Sequence, residues 1–263
     1  MNRNIQFIAQ TNIQLFHQLQ EAGYNDRDLI CIHQSYQLAC RLFTGFFRGS
    51  GKPFLAHLVG TASILVSIES PIEIVAAGLL HATYELGDFG DGSQGVSSKK
   101  RNKIKQQVGK KIESYIARYT ALKWNQSSAI NIFNHLEKLD QTQKEVLLIR
   151  LANELEDYHD SGVLYCAKYQ ERLDYLNACS HLMVAMAQKL GYPNLAIALE
   201  QIFKESANQN ILPFLQNTEI YSYVLNTSSP LQRLIGKWNY RLTNRLKIIF
   251  DNHDQESSAL IDF

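Results

Sequence analysis

Apolar residues recur at three- and four-residue intervals along most of the chain, and no run of strict alternation lasts long enough to suggest a sheet. The periodicity predicts a helix over residues 5–19, closed by Gly23. A second helix starts at Asp26 as N-cap and turns Leu29, Ile30, Tyr36, Leu38, Ala39, Leu42 and Phe43 toward a core. Residues 48–53, RGSGKP, are turn chemistry, and a third helix follows over 54–68. Ser70, Pro71 and Glu73 have the spacing of a capping box with proline at the first helical position. Residues 74–80, IVAAGLL, are apolar on every side, so the helix that carries them is expected to be buried all round, with His81 at its end and Glu85 a turn further on the same face.

Residues 87–98 read as a flexible connector, followed by a basic start to an amphipathic helix with Ile104, Val108, Ile112 and Ile116 on one side. Further helices are expected over 128–139, 142–159, 163–189 and 195–206. A shorter segment spans 211–225, then Ser229-Pro230 opens a last helix to Phe250, and the tail is polar. The predicted fold is all-α: a compact helical domain over 1–206 and a C-terminal helical extension over 207–263 packed on it.

Composition narrows the class. Apolar residues make up 45% of the 263 positions and aromatics 10%, enough for a substantial core. With 26 basic and 25 acidic side chains, no global field points to nucleic acid or an anionic membrane. Cys31, Cys40, Cys166 and Cys179 form no C-x-x-C pair, which suits reduced thiols in the cytoplasm. The longest apolar run is far short of the roughly 20 residues needed to span a bilayer. Residues 99–111 carry seven Lys or Arg and no acid, and Arg233, Lys237, Arg241, Arg245 and Lys247 line one face of the last predicted helix. Such faces are ordinary on soluble helices, although the last one would also suit an acidic partner.

The chain carries no G-x-S-x-G, no Walker A loop and no dinucleotide fingerprint. What remains are polar side chains that interrupt apolar helices: His57 after SGKPFLA, His81 after IVAAGLL, and Asn153 within VLLIRLANELED. A buried polar group must be hydrogen-bonded or coordinate something, so three on successive core helices are candidates to converge.

Their order and context resemble the (p)ppGpp hydrolase domain of RelA/SpoT-type enzymes, a branch of the HD superfamily. The stretches that carry the resemblance are FFRGSGKPFLAHLVGTASIL, AAGLLHATYEL, IRLANELED and MAQKLGYPNLAIALEQIF, and the resemblance covers about residues 26–204. The resemblance implies a helical HD-type bundle. It also implies a divalent metal, usually manganese, held by a His, a His-Asp doublet and a later Asp, which activates water to remove the 3′-pyrophosphate of a guanosine alarmone. His57 and His81 match two of the ligands. Ala82 stands where the doublet has Asp, and Asn153 where the later ligand is Asp. Leu86 replaces the partner of Glu85, and Glu154, Glu156 and Asp157 replace an Arg, a His and an Asn. Arg48 and the SGKP turn are kept.

Two imidazoles and an amide give a doubly charged ion no compensating charge. The expectation is therefore a pseudoenzyme: His57 and His81 as remnant metal ligands without metal, and no cofactor. Arg48, Lys52, His57 and Asn153 would line a remnant cleft for a small ligand or a partner. Glu154, Glu156, Asp157 and Asp160 would make one edge acidic and repel a phosphorylated nucleotide. Two alternatives remain open. Glu85 could turn inward and complete a His-His-Glu site for Mn2+, restoring phosphohydrolase activity. Or His81 and Glu85 could act as a metal-free acid-base pair in a specialised biosynthetic enzyme.

Overall fold

A computed structural model describes residues 5, 7–217, 219, 220 and 222–225. It is built almost entirely of helices: α1 (Asn12–Glu21), α2 (Asp26–Phe43), α3 (Phe54–Ser67), α4 (Ile72–Leu79), α5 (Thr83–Leu86), α6 (Ser98–Val108), α7 (Lys110–Ala121), α8 (Gln126–Asn134), α9 (Gln141–His159), α10 (Tyr169–Lys189) and α11 (Pro193–Ala207). Two short strands, β1 (Phe46–Arg48) and β2 (Ser222–Val224), pair antiparallel with Phe47 opposite Tyr223. The described residues up to Val224 belong to one compact unit. The predicted basic helix over 230–250 lies outside the described residues.

The centre is α3, α4 and α9, which pack on one another, with α7 against α4 and α9 and α11 against α9. Sequence explains this directly: α4 is apolar all round and is buried from Ile74 to Leu79, and α3 is buried without a break from His57 to Val66. No helix among the described residues is long and apolar enough to cross a membrane. The four cysteines are free thiols.

Local chemistry moves several predicted boundaries. The first helix begins at Asn12, because Thr11 caps it reciprocally with Gln14. Asn25, not Asp26, caps α2, with Asp28 completing the box. Ser70 does not cap α4: no side chain caps that helix, Ser70 Oγ is buried without a partner, and Glu73 bonds Lys111 instead. The basic amphipathic helix is two helices, broken at Gly109, whose φ of +90° only glycine adopts freely. The stretch expected as one helix over 163–189 starts as a 3-10 turn at 162–165, and α10 begins only after Lys168 at φ +63°. The segment over 211–225 is a 3-10 turn followed by β2.

The basic stretch over 99–111 is mostly spoken for internally. Lys100 is buried, donates to Ser93 O and lies over the Phe89 ring, Arg101 grips Glu113 through two bonds, and Lys111 pairs with Glu73.

Candidate functional site

The site is assembled from four pieces of chain. β1 and the turn after it supply Arg48 and Lys52, a turn tied by Arg48 N–H donating to Lys52 O at 2.9 Å. The first turn of α3 supplies His57, and the end of α4 supplies His81. The C-terminal half of α9, buried from Val146 to Tyr158 apart from Arg150, supplies Asn153, Glu154, Glu156 and Asp157. Asp160 follows just beyond it.

The two histidines meet as expected. His57 Nε2 lies 3.3 Å from His81 Nε2, and both side chains are buried. Glu85 does not join them. The helix stops at Leu79, so His81 sits in a turn rather than one turn before Glu85 on a shared face, and Glu85 is solvent-exposed. Asn153 is buried and spends its amide N–H on Asp157 Oδ2 at 3.3 Å.

Sequence reasoning placed Glu156 and Asp157 on an acidic rim; the fold puts both inside. Glu156 bonds His57 Nδ1 with one oxygen and Lys52 Nζ with the other. Asp157 Oδ1 pairs with Arg48 at 2.7 Å, Lys52 also reaches Asp160 at 3.0 Å, and Glu154 pairs with Arg150 one turn back on α9. Each acid on that edge thus meets a cation, so the edge does not repel a phosphorylated ligand as an unpaired acidic face would. A signal was present in the sequence: three acids in four positions of an apolar helix must find buried cations. Arg48, Lys52 and Arg150 were the available ones.

Hydrogen-bond logic fixes the protons. Gly78 O can only accept, so the 2.7 Å contact from His81 Nδ1 puts the proton on that nitrogen. Burial, with His57 adding, lowers the His81 pKa to about 3, so the ring is neutral and its Nε2 is an acceptor. His57 Nε2 must then donate to it. Burial, helped by Arg48 and Lys52, also lowers the His57 pKa to about 3, which leaves its Nδ1 without a proton. Burial raises the Glu156 pKa to about 8 against the pull of Lys52, so Glu156 is the acid that donates to His57 Nδ1. Burial works the same way on Asp157, but Arg48 foremost outweighs it and holds that carboxyl well below the usual range. The result is an unbroken chain from Glu156 through His57 and His81 to Gly78 O.

These residues do not fit a divalent ion. Both Nε2 atoms face each other and share one proton, and Ala82 and Asn153 offer no carboxylate. His57, Glu156 and Asp157 do bring potential ligand atoms within 4.8 Å of one another. Those groups lie on the Nδ1 side of His57, however, where Arg48 balances Asp157 and Glu156 is engaged by His57 and Lys52. Nor is His81 a poised base, because its lone pair is engaged by His57 and burial, not a neighbouring carboxylate, sets its pKa. The expected open cleft is closed. Arg48, Ser50, Lys52, Glu156, Asp157 and Asp160 border a cavity of about 10 Å3, room for about one water, that does not extend to the histidines. Grooves of about 310 and 400 Å3 lie elsewhere, beside Lys144 and Tyr192 and beside Ile8 and Ile197.

Comparison with known proteins agrees with the general placement. Residues 42–123, which include both histidines, match a family described as a domain of unknown function, DUF6817. The chain is 27% identical over 200 residues to the probable GTP diphosphokinase RSH3, chloroplastic, of Arabidopsis thaliana, covering 70% of this chain and 25% of that protein. A 62-residue stretch is 42% identical to the putative GTP diphosphokinase RSH1, chloroplastic, of Oryza sativa subsp. japonica, covering 24% of this chain and 7% of that one. The chain spans about a quarter of the length of the first of these relatives. It is therefore related, at a distance, to one part of the RelA/SpoT-type proteins.

Proposed function

We propose that this chain is a nucleotide-hydrolase-like HD domain that no longer hydrolyses, and that it serves by binding a small ligand or a partner. The observation that carries this reading is the Lys52–Glu156 and Arg48–Asp157 pairing beside His57. Two internal cations supply the positive charge that a metal supplies in an active site of this type, and both histidine lone pairs are engaged, that of His81 by His57 and that of His57 by Glu156. No water of lowered pKa is generated without the metal.

The test is metal content and turnover. Purified protein with excess Mn2+ is expected to retain no stoichiometric metal after desalting and to leave the 3′-pyrophosphate of ppGpp intact. An Ala82→Asp, Asn153→Asp variant restores two carboxylates and is expected to gain Mn2+ affinity. Stoichiometric metal on the unmodified chain, together with ppGpp turnover, would overturn the reading. The convergence of His57, Glu156 and Asp157 favours one rival, a metal site relocated to the other ring nitrogen of His57. In that case Asp157→Asn abolishes the bound metal.

A further inference from the structure

Beyond α11 the chain returns to the turn at 162–165 and to β1, the two stretches that border the ion-pair cluster. Asn217 N–H donates to Tyr165 O at 2.8 Å, Ala167 N–H donates to Ile220 O at 3.2 Å, and Leu212 N–H reaches the Tyr165 hydroxyl at 3.4 Å. These contacts fasten the segment to the 3-10 turn at 162–165, whose Gly162 and Val163 form one wall of the small cavity over Arg48 and Lys52. The segment then adds β2 to β1 with Ser222 opposite Arg48, and Tyr223 stacks on Phe47 with ring centroids 5.5 Å apart and planes within 13°. One segment thus grips both walls of the cavity, the 162–165 turn and the strand that holds Arg48.

Its hold is shallow. The 3-10 turn at Pro213–Leu215 buries no residue, Phe214 is 80% exposed, and no residue of β2 is fully buried. A segment with few buried apolar contacts opens at far lower free energy than the core it rests on.

We propose that the described residues of this segment, 209–217, 219, 220 and 222–224, act as a detachable strap that holds the Arg48–Lys52 turn in place over the buried ion pairs, and that lifting it opens this site further to solvent. The hydrogen bonds and the ring stack give the closed state, and the exposed apolar side chains make it reversible. The idea holds whether or not the domain hydrolyses anything, because it concerns access to Arg48, Lys52, Glu156 and Asp157 rather than their chemistry.

Hydrogen exchange on the full chain tests it, with Tyr223→Ala removing the ring stack and Ser222→Pro blocking the strand. In both variants the amides between Phe46 and Lys52 are expected to exchange about tenfold faster or more, while those of α3, α4 and α9 keep their rates. Acetylation of the Lys52 amine by a small amine-reactive reagent should accelerate in step. Unchanged exchange at 46–52 would show that the segment does not hold the turn, and faster exchange spread evenly over α3, α4 and α9 would show an integral part of the core. Faster exchange without faster Lys52 acetylation would show that the strap does not gate the site. Any of these three results overturns the proposal.

Discussion

Gly60 lies on α3 three residues after His57, and its missing side chain is what lets Glu156 reach the histidine. A Cβ at this position would stand 2.7 Å from Glu156 Cγ and 2.8 Å from its Oε1. Ordinary carbon–carbon contact begins near 3.5 Å, so Gly60→Ala forces Glu156 to move by roughly 1 Å. Glu156 is 1% exposed and held at both oxygens, by His57 and by Lys52, so it has no free direction in which to yield. Overpacking costs about 1–3 kcal/mol, and weakening the two hydrogen bonds adds about 1 kcal/mol each. Alanine returns up to about 1 kcal/mol through its better helix propensity. The net expectation is a loss of about 2–4 kcal/mol, read from urea unfolding followed by circular dichroism. In a Glu156→Ala background the Glu156 atoms are gone and only the end of the Gln10 side chain, at 3.1 Å, must shift, so Gly60→Ala should become neutral or stabilising by up to about 1 kcal/mol. The double-mutant cycle should then show a coupling of about 2–5 kcal/mol. Equal cost in both backgrounds, to within about 0.5 kcal/mol, would refute the placement of Glu156 against α3.

Asp157→Asn leaves Arg48 without its carboxylate in a buried setting and should cost about 3–5 kcal/mol, whereas Asp160→Asn, at a half-exposed carboxylate, should cost under about 1 kcal/mol; similar losses in thermal or urea melts would argue against the buried pair. Burial alone would raise the pKa of Glu113, but hydrogen bonds from Arg101 and Tyr84 outweigh it and hold the group below its ordinary value. Its contribution is thus present above the unfolded pKa of about 4.3 and is lost as pH falls through the lower folded one. Glu113→Gln should cost about 1–2 kcal/mol at pH 7, with the gap closing in acid, and a gap that widens on acidification would reverse the sign of that coupling. Ser70→Ala should be neutral or slightly stabilising, because Ser70 Oγ is buried without a partner; a loss of about 1 kcal/mol, the value of an N-cap, would restore the capping box.

Much of the helical order was legible because it depends on spacing within a dozen residues. The apolar run before His81 announced a central helix, and RGSGKP announced the turn that presents Arg48 and Lys52. Boundaries moved where a nearby side chain competed for the same backbone groups, as with Thr11, Asn25 and Gly109. β2 was not legible at all, since its partner β1 lies more than 170 residues away and three-residue strands carry no period of their own. The site divided in the same way. Motif order brought His57 and His81 together, but Glu85 stayed outside because α4 ends at Leu79 and residues 80–82 form a turn before α5.

By itself the sequence determined that this chain folds as helices around an apolar centre and that two histidines and an asparagine interrupt that centre. Only the tertiary structure decided where the remaining charges go. Glu156 and Asp157 look like surface acids in a linear reading, yet α9 turns them against α3 and β1, where Lys52 and Arg48 meet them. Charge compensation acts through space between residues a hundred positions apart, so neither the closed ion-pair cluster nor the proton chain through His57 could be read from spacing along the chain.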